Sequence, residues 1–246
     1  CASQLNRSAE EDMDKHQAIW EARYEKVLRG EHTLVGEPWL EGWLHLVPRS
    51  GCRRAFDVGC GSGHNTRLLL EQGFEVTAID YSERALELCR REAPKARVEW
   101  ADVREGLPFA DDRFELMVAD LSLHYFRWDV TAEIVRDLAK RLVPGGLFAG
   151  RFNSTGDADY AAKTGESVCG EPNQLIVDGI EKRFFTRECF NKLFGPPWTM
   201  MALAEKATYR YGSRKVFWEV VATKCDGHLP VQSAAAEADK PHYADR

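Results

Sequence analysis

Three glycines and two carboxylates carry the first recognisable chemistry of the chain. In the segment FDVGCGSGHNT (Phe56–Thr66), Gly59, Gly61 and Gly63 alternate with other residues behind Asp57, and Asp80 follows Gly59 by 21 positions. Glycines so spaced permit positive φ and let a ligand approach the main chain. Free amides at a following helix start attract a negative or polar group. A carboxylate ending the next strand stands beside that turn in an open α/β sheet, placed to accept hydrogen bonds from two ribose hydroxyls. A phosphate-binding loop is excluded, because no Gly-Lys pair exists in the chain. A dinucleotide turn of the form GxGxxG/A fits poorly, because His64 occupies its third glycine position.

These residues need strands and helices to hold them. Arg54–Val58 reads as a strand, Asn65–Glu71 as a helix closing near Gly73, and Phe74–Asp80 as the next strand. Ser82 is a candidate N-cap for a helix that Pro94 stops. Arg97–Trp100 and Phe114–Asp120 read as strands. Ile134, Leu138 and Leu142 mark a helix from about Val130 that ends at Pro144-Gly145-Gly146, and Leu147–Asn153 is another strand. Strands alternating with helical patterns imply a doubly wound, mostly parallel sheet. Before this series, Met13, Trp20, Tyr24, Val27 and Leu28 fall at helical spacing up to Gly30, with residues 1–12 expected to fray, and Pro38 opens a short helix that Pro48 closes. After it, Ser154–Asn173 reads as a loop, Thr186 caps a short helix, and Met200–Tyr211 with Lys215–Thr223 form an antiparallel hairpin around Gly212-Ser213. The expected organisation is an N-terminal helical extension (1–50), one α/β domain (51–224) and a disordered tail (225–246).

The composition fits this reading. The 246 residues are 44% hydrophobic and 29% charged, with 33 Lys and Arg against 39 Asp and Glu. A chain of this size buries a full core without disulfides. Its net charge of −6 argues against nucleic acid as a partner. No apolar run reaches the length of a membrane span, and the polar stretch Cys1–Lys15 does not read as a secretory signal. Seven scattered cysteines without a CxxC pair suggest reduced thiols in a cytoplasm, and the histidines show no HExxH or HxH pattern, so no metal is expected.

Asp57 followed by the three glycines, with Asp80 ending the second strand, resembles the class I S-adenosylmethionine-dependent methyltransferases. The stretches EWADVREGLPFADDRFELMVADLSLHYF (Glu99–Phe126) and LVPGGLFAG (Leu142–Gly150) resemble the same family, and the similarity covers about residues 50–155. It implies a seven-stranded Rossmann-like sheet with the closing hairpin as its last strands, and S-adenosylmethionine as cofactor. It also implies residue roles. Asp57 orients the glycine turn and the methionine amine. Gly59, Gly61 and Gly63 leave room for the methionine moiety. Asp80, with Tyr81 beside it, binds the ribose. Asp102 and the Val103 amide read the adenine, and Asp120 to Leu121 line the methionine side.

Beyond the cofactor, His124 and Tyr125 follow Asp120 in DLSLHYF. His124 is the candidate general base, with packing on the next helix as the alternative, and Tyr125 the candidate for orienting the acceptor. Trp20 and Tyr24, four apart, are candidates for an aromatic lid over the sulfonium, with plain packing of an amphipathic helix as the alternative. Arg151, Asn153 and Tyr160 follow the fifth strand, where acceptors dock in this architecture, and Arg151 with Arg210 forms a candidate clamp for a carboxylate or phosphate, with a surface ion pair as the alternative for either. The resulting expectation is methyl transfer to a small molecule by a cytoplasmic monomer or homodimer. The rivals are a methyltransferase acting on a protein or peptide side chain, and a non-catalytic cofactor-binding scaffold.

Overall fold

The computed structural model describes residues 2–33, 36–49, 52–110, 112–157, 166–209 and 214–225, with side chains from residue 15 onward. The expected tail therefore lies, apart from Cys225, outside the described residues.

The chain opens with a long helix, α1 (Ala2–Leu28), followed by a 3-10 segment at Glu41–Leu46. The strand–helix series then runs β1 (Arg54–Val58), α2 (His64–Glu71), β2 (Glu75–Asp80), α3 (Glu83–Glu92), β3 (Arg97–Trp100), β4 (Phe114–Asp120), α4 (Trp128–Arg141) and β5 (Leu142–Asn153). It continues through β6 (Glu166–Ser167), β7 (Gln174–Val177), β8 (Ile180–Arg183), α5 (Arg187–Leu193), β9 (Trp198–Thr208) and β10 (Lys215–Lys224).

Seven strands form one sheet in the order β3-β2-β1-β4-β5-β10-β9. Only β10 runs against the rest, pairing antiparallel with both β5 and β9. The order reverses between β1 and β4, so the carboxyl ends of these strands open a crevice at the switch point. Side chains alternate across the sheet. Leu116 and Val118 of β4 join Leu147 and Ala149 of β5 on one face, against Leu40, Val47, Leu69 and Phe74. Met117, Ala119, Phe148 and Phe152 face the other side, against Ile134, Leu138, Phe190 and Trp218. Both faces are covered, as a parallel sheet requires.

Three features differ from the sequence-based expectations. First, α1 begins at Ala2 instead of fraying through residue 12. Second, the segment after Pro38 winds as a 3-10 helix without a buried residue of its own. Third, the expected long loop ends in a separate three-stranded sheet, β6-β7-β8. Its β7–β8 turn places Asp178 at φ 54° and Gly179 at φ 75°. Asp-Gly at both positive-φ positions is a favoured two-residue hairpin turn, and it lies just beyond the stretch read as a loop.

Candidate functional site

The crevice is built on the turn between β1 and α2. Gly59 and Cys60 both donate their amides to the Ile79 carbonyl at 2.9 Å. Asp80 locks the turn from the neighbouring strand: one carboxylate oxygen accepts from the Gly61 amide at 2.9 Å, the other from the Ser82 amide at 3.0 Å. Ser82 in turn caps α3 through the Ala85 amide. Burial pushes the Asp80 carboxyl up to about 6, against the lowering effect of these amides. Gly61 has φ 53°, and a β-carbon there would lie 2.7 Å from the Tyr24 hydroxyl. Ser122 approaches Gly59 in the same way.

Beneath the turn, Asp57 is fully buried and accepts the Thr66 hydroxyl at 2.7 Å. Desolvation, helped by the charges of Asp120 and Asp80, raises its carboxyl to about 7.

Above the turn lies a cavity of about 650 Å³. The turn residues Gly59 to Ser62 form one side of it. Asp80, Tyr81, Asp102 and Val103 form a second, and Asp120 to Tyr125 a third. Asp102 caps its own short 3-10 segment and is ion-paired with Arg104. Helix α1 closes the top. Gln17 donates to the Tyr81 carbonyl at 2.9 Å, and Glu21 accepts the Glu83 and Arg84 amides at the start of α3 at 2.7 and 3.1 Å. One turn earlier, the His16 ring accepts the Glu181 amide of β8 at 3.0 Å. The helix therefore spans the cavity from α3 to the small sheet. Between these anchors Trp20 meets Tyr125 edge-on at 5.4 Å and stacks with Tyr24 at 5.9 Å.

At the end of the cavity nearest the small sheet, His124 is 1% exposed. Neither ring nitrogen has a hydrogen-bond partner among the described residues. Burial, with the charges of Lys215 and Lys182, holds the imidazole well below its ordinary range, so it is neutral.

Comparison with known proteins interprets this geometry. Residues 55–146 match the family described as "Methyltransferase domain". The chain is similar to malonyl-[acyl-carrier protein] O-methyltransferase of Enterobacter lignolyticus (33% identity, covering 48% of this chain and 46% of that one). It is also similar to glycine N-methyltransferase of Rattus norvegicus (39% identity, 58% and 52%). A crystal structure of a SAM-dependent methyltransferase from Methanosarcina mazei shares the fold, with a TM-score of 0.66 at 18% identity over 78% of this chain and 99% of that one. Residues 55–146 carry a methyltransferase domain, within a fold shared with S-adenosylmethionine-dependent methyltransferases. The chain spans about half the length of the curated relatives it matches.

The methyltransferase domain suits this cofactor on structural grounds. The glycine turn presents main chain where a β-carbon at Gly61 would collide, and Asp80 offers a buried carboxylate at the end of β2, beside that turn. Among the described residues, no group of three or more His, Cys, Asp or Glu side chains is arranged to hold a metal ion.

The fold brings Trp20, Tyr24, Gly59, Gly61, Asp80, Tyr81, Asp102, Val103, Asp120, Leu121, His124 and Tyr125 to one cavity. Four other expected residues are placed away from its wall. Asp57 supports the turn from below. Gly63, at φ 84°, backs onto α3, where its β-carbon would lie 2.8 Å from Cys89, so its missing side chain serves helix packing. Asn153 is fully buried, and its amide has no partner among the described residues.

Arg151 is the fourth, and it corrects the clamp expectation. It is 1% exposed and grips Asp120 with two nitrogens at 2.6 and 2.8 Å, while a third meets Glu37 at 2.6 Å. Its guanidinium is spent inside the protein. Asn65 donates to the same Asp120 at 3.2 Å, and its own oxygen accepts the Trp39 indole at 3.2 Å. Tyr160 and Arg210 lie outside the described residues. Sequence reasoning misses Gln17, Glu21 and Glu37, because their contacts join parts of the chain about 60 or more positions apart. It also misses Lys182 and Lys215 as cavity residues, although the Asp178-Gly179 turn signal marks the hairpin that carries Lys182.

Proposed function

We propose that this protein transfers the methyl group of S-adenosylmethionine to a small-molecule acceptor. The observation that carries the reading is the single cavity of about 650 Å³ that joins the glycine turn and Asp80 at one end to His124 and Tyr125 at the other, beneath α1. Small-molecule sites have volumes of roughly 300–1,000 Å³, and a helical roof favours a small acceptor over a polypeptide.

The cofactor supplies an electrophilic methyl group on a sulfonium. The protein's own residues do the rest. Asp80, with Tyr81 beside it, would accept the ribose hydroxyls, and Asp102 with the Val103 amide would hold the adenine. Asp120, held rigid by Arg151 and Asn65, would receive the amine of the methionine moiety. Trp20 and Tyr24 exclude water and offer aromatic faces to the positive sulfur. Tyr125 orients the acceptor for in-line attack. The neutral His124 ring accepts a proton where the acceptor is a hydroxyl or an ammonium.

Isothermal titration of the purified protein with S-adenosylmethionine and its demethylated product tests the reading, with a nicotinamide dinucleotide as control. Binding of both sulfur nucleotides and not of the dinucleotide is expected. Equal binding of the dinucleotide overturns it.

A further inference from the structure

The acceptor end of the cavity is unlike the rest of the molecule in charge. The chain is acidic overall, yet Lys182 from β8, Lys215 from β10 and the adjoining Arg214 all line this end. Two carboxylates share the wall. Asp157 accepts the Val216 amide at 2.6 Å and Asp178 is exposed at the tip of the β7–β8 turn, so the three cations outnumber the two carboxylates at this end. The two ammonium groups come from separate sheets and line the same cavity as His124. That histidine is buried, faces the cavity, and has two ring nitrogens without partners among the described residues. Leaving buried polar groups unmatched is costly, so the site is built for something that supplies the partners. A neutral imidazole offers one N–H donor and one acceptor nitrogen, and the lysines beside it offer positive charge.

We infer that the acceptor is a small oxyanion-bearing molecule, a carboxylate or a phosphate, whose anionic group is held by Lys182 and Lys215 while an N–H or O–H of the same molecule meets His124. This rests on the proposed methyl transfer and names the substrate class of that same site. A charge-assisted hydrogen bond to each lysine fixes the anionic head. The remaining end of the acceptor is then directed along His124 and Tyr125 toward the glycine turn, where the cofactor's methyl group is expected.

The test separates the two readings. The protein is first loaded with the demethylated cofactor, and binding of that nucleotide is measured on its own; failure there overturns the methyltransferase reading. Benzoate, phenyl phosphate, benzamide and benzylamine are then titrated as probes of one ring with different heads, followed by ligand-detected NMR. The anions are expected to bind more tightly than the amide and the amine. Lys182→Gln and Lys215→Gln should each weaken the better anion about tenfold, the scale of one charge-assisted hydrogen bond. Lys182→Arg should keep most of the affinity, and demethylated-cofactor binding should stay within about twofold in all three variants, which also shows that they are folded. The preferred anion distinguishes a carboxylate acceptor from a phosphate. Absence of anion binding by the loaded wild type, equal or tighter binding of benzylamine, or anion affinity unchanged in both Gln variants overturns the inference.

Discussion

The hydroxyl of Tyr24 lies 2.7 Å from where a side chain on Gly61 would begin. The roof helix and the floor of the cavity are thus fitted to each other at one point, and a methyl group is enough to disturb both. Gly61→Ala meets two penalties. The left-handed backbone costs an L-residue about 1–2 kcal/mol, and the new methyl pushes Tyr24 off the turn. Cofactor affinity measured by calorimetry should fall by at least about tenfold. Adding Tyr24→Phe removes the colliding hydroxyl and keeps the ring, but not the backbone strain, so the double variant should recover part of the loss. No recovery would mean that Tyr24 does not rest on Gly61 in solution.

Asp80 sets a second expectation, with opposite signs for stability and binding. Its carboxyl is raised from 3.8 to about 6 by burial, and Asp57 from 3.8 to about 7. Between the unfolded and folded values the native state holds more protons than the unfolded one. Stability of the ligand-free protein therefore falls as pH rises from about 4 to about 7, each of the two carboxyls contributing a slope of at most about 1.4 kcal/mol per pH unit. Cofactor binding runs the other way, because the ribose hydroxyls need an ionised acceptor, so affinity should weaken as pH drops below about 6. Asp80→Asn should flatten the binding curve and remove its own share of the stability slope, leaving that of Asp57. Denaturant melts and calorimetry across pH ~4–8 check the pair, and identical profiles in wild type and variant would refute the assignment.

The buried cluster around Arg151 predicts a stability effect in place of a substrate effect. Removing one partner of a buried ion pair leaves an uncompensated charge and costs about 3–5 kcal/mol. Arg151→Met abandons both Asp120 and Glu37 and should show a loss of this size in urea unfolding. Arg151→Lys keeps the charge but cannot reproduce the two-pronged grip on Asp120, so its stability should fall between wild type and the methionine variant. If Arg151→Met unfolds like wild type and loses only acceptor affinity, the clamp expected from sequence is restored.

The contrast between Gly61 and Arg151 shows what is legible in the order of residues. The glycine turn, Asp80 and the strand–helix rhythm are local signals: each residue acts within a few positions of its neighbours or at the end of the next strand. Ser82 as N-cap and the β9–β10 hairpin are of the same kind. Arg151 at the end of β5 is visible as a charge at a useful place, but its partners Asp120 and Glu37 lie 31 and 114 positions away. Nothing in the sequence says which of several carboxylates a buried guanidinium will meet. The small sheet escapes detection for another reason. Its strands have two to four residues, too short for alternation to stand out, and the Asp178-Gly179 turn is the one strong cue.

His124 carries the last prediction. Its place in the sequence suggests a base titrating near neutrality, which would give a fall in turnover below about pH 6.5. The structure moves that limb. The ring is buried and under the field of Lys215 and Lys182, so its protonation lies well below the ordinary 6.5 and turnover should be flat with respect to this group above that pH. The same shift has a consequence for folding. A lowered folded value means that the unfolded chain takes up the proton first as pH falls below about 6.5, so this histidine withdraws stability on the acid side and none above it. His124→Gln and His124→Phe separate chemistry from packing. Phenylalanine keeps a ring beside Tyr125, whose centroid lies 4.1 Å away, and loses both nitrogens. If the imidazole handles a proton, both variants should lose about 100-fold or more in kcat while staying folded, and stability in acid should improve in each. Full turnover in the phenylalanine variant would make His124 a packing residue, and a wild-type limb centred on about pH 6.5 that vanishes in both variants would show that the ring is less buried during turnover than the structure places it.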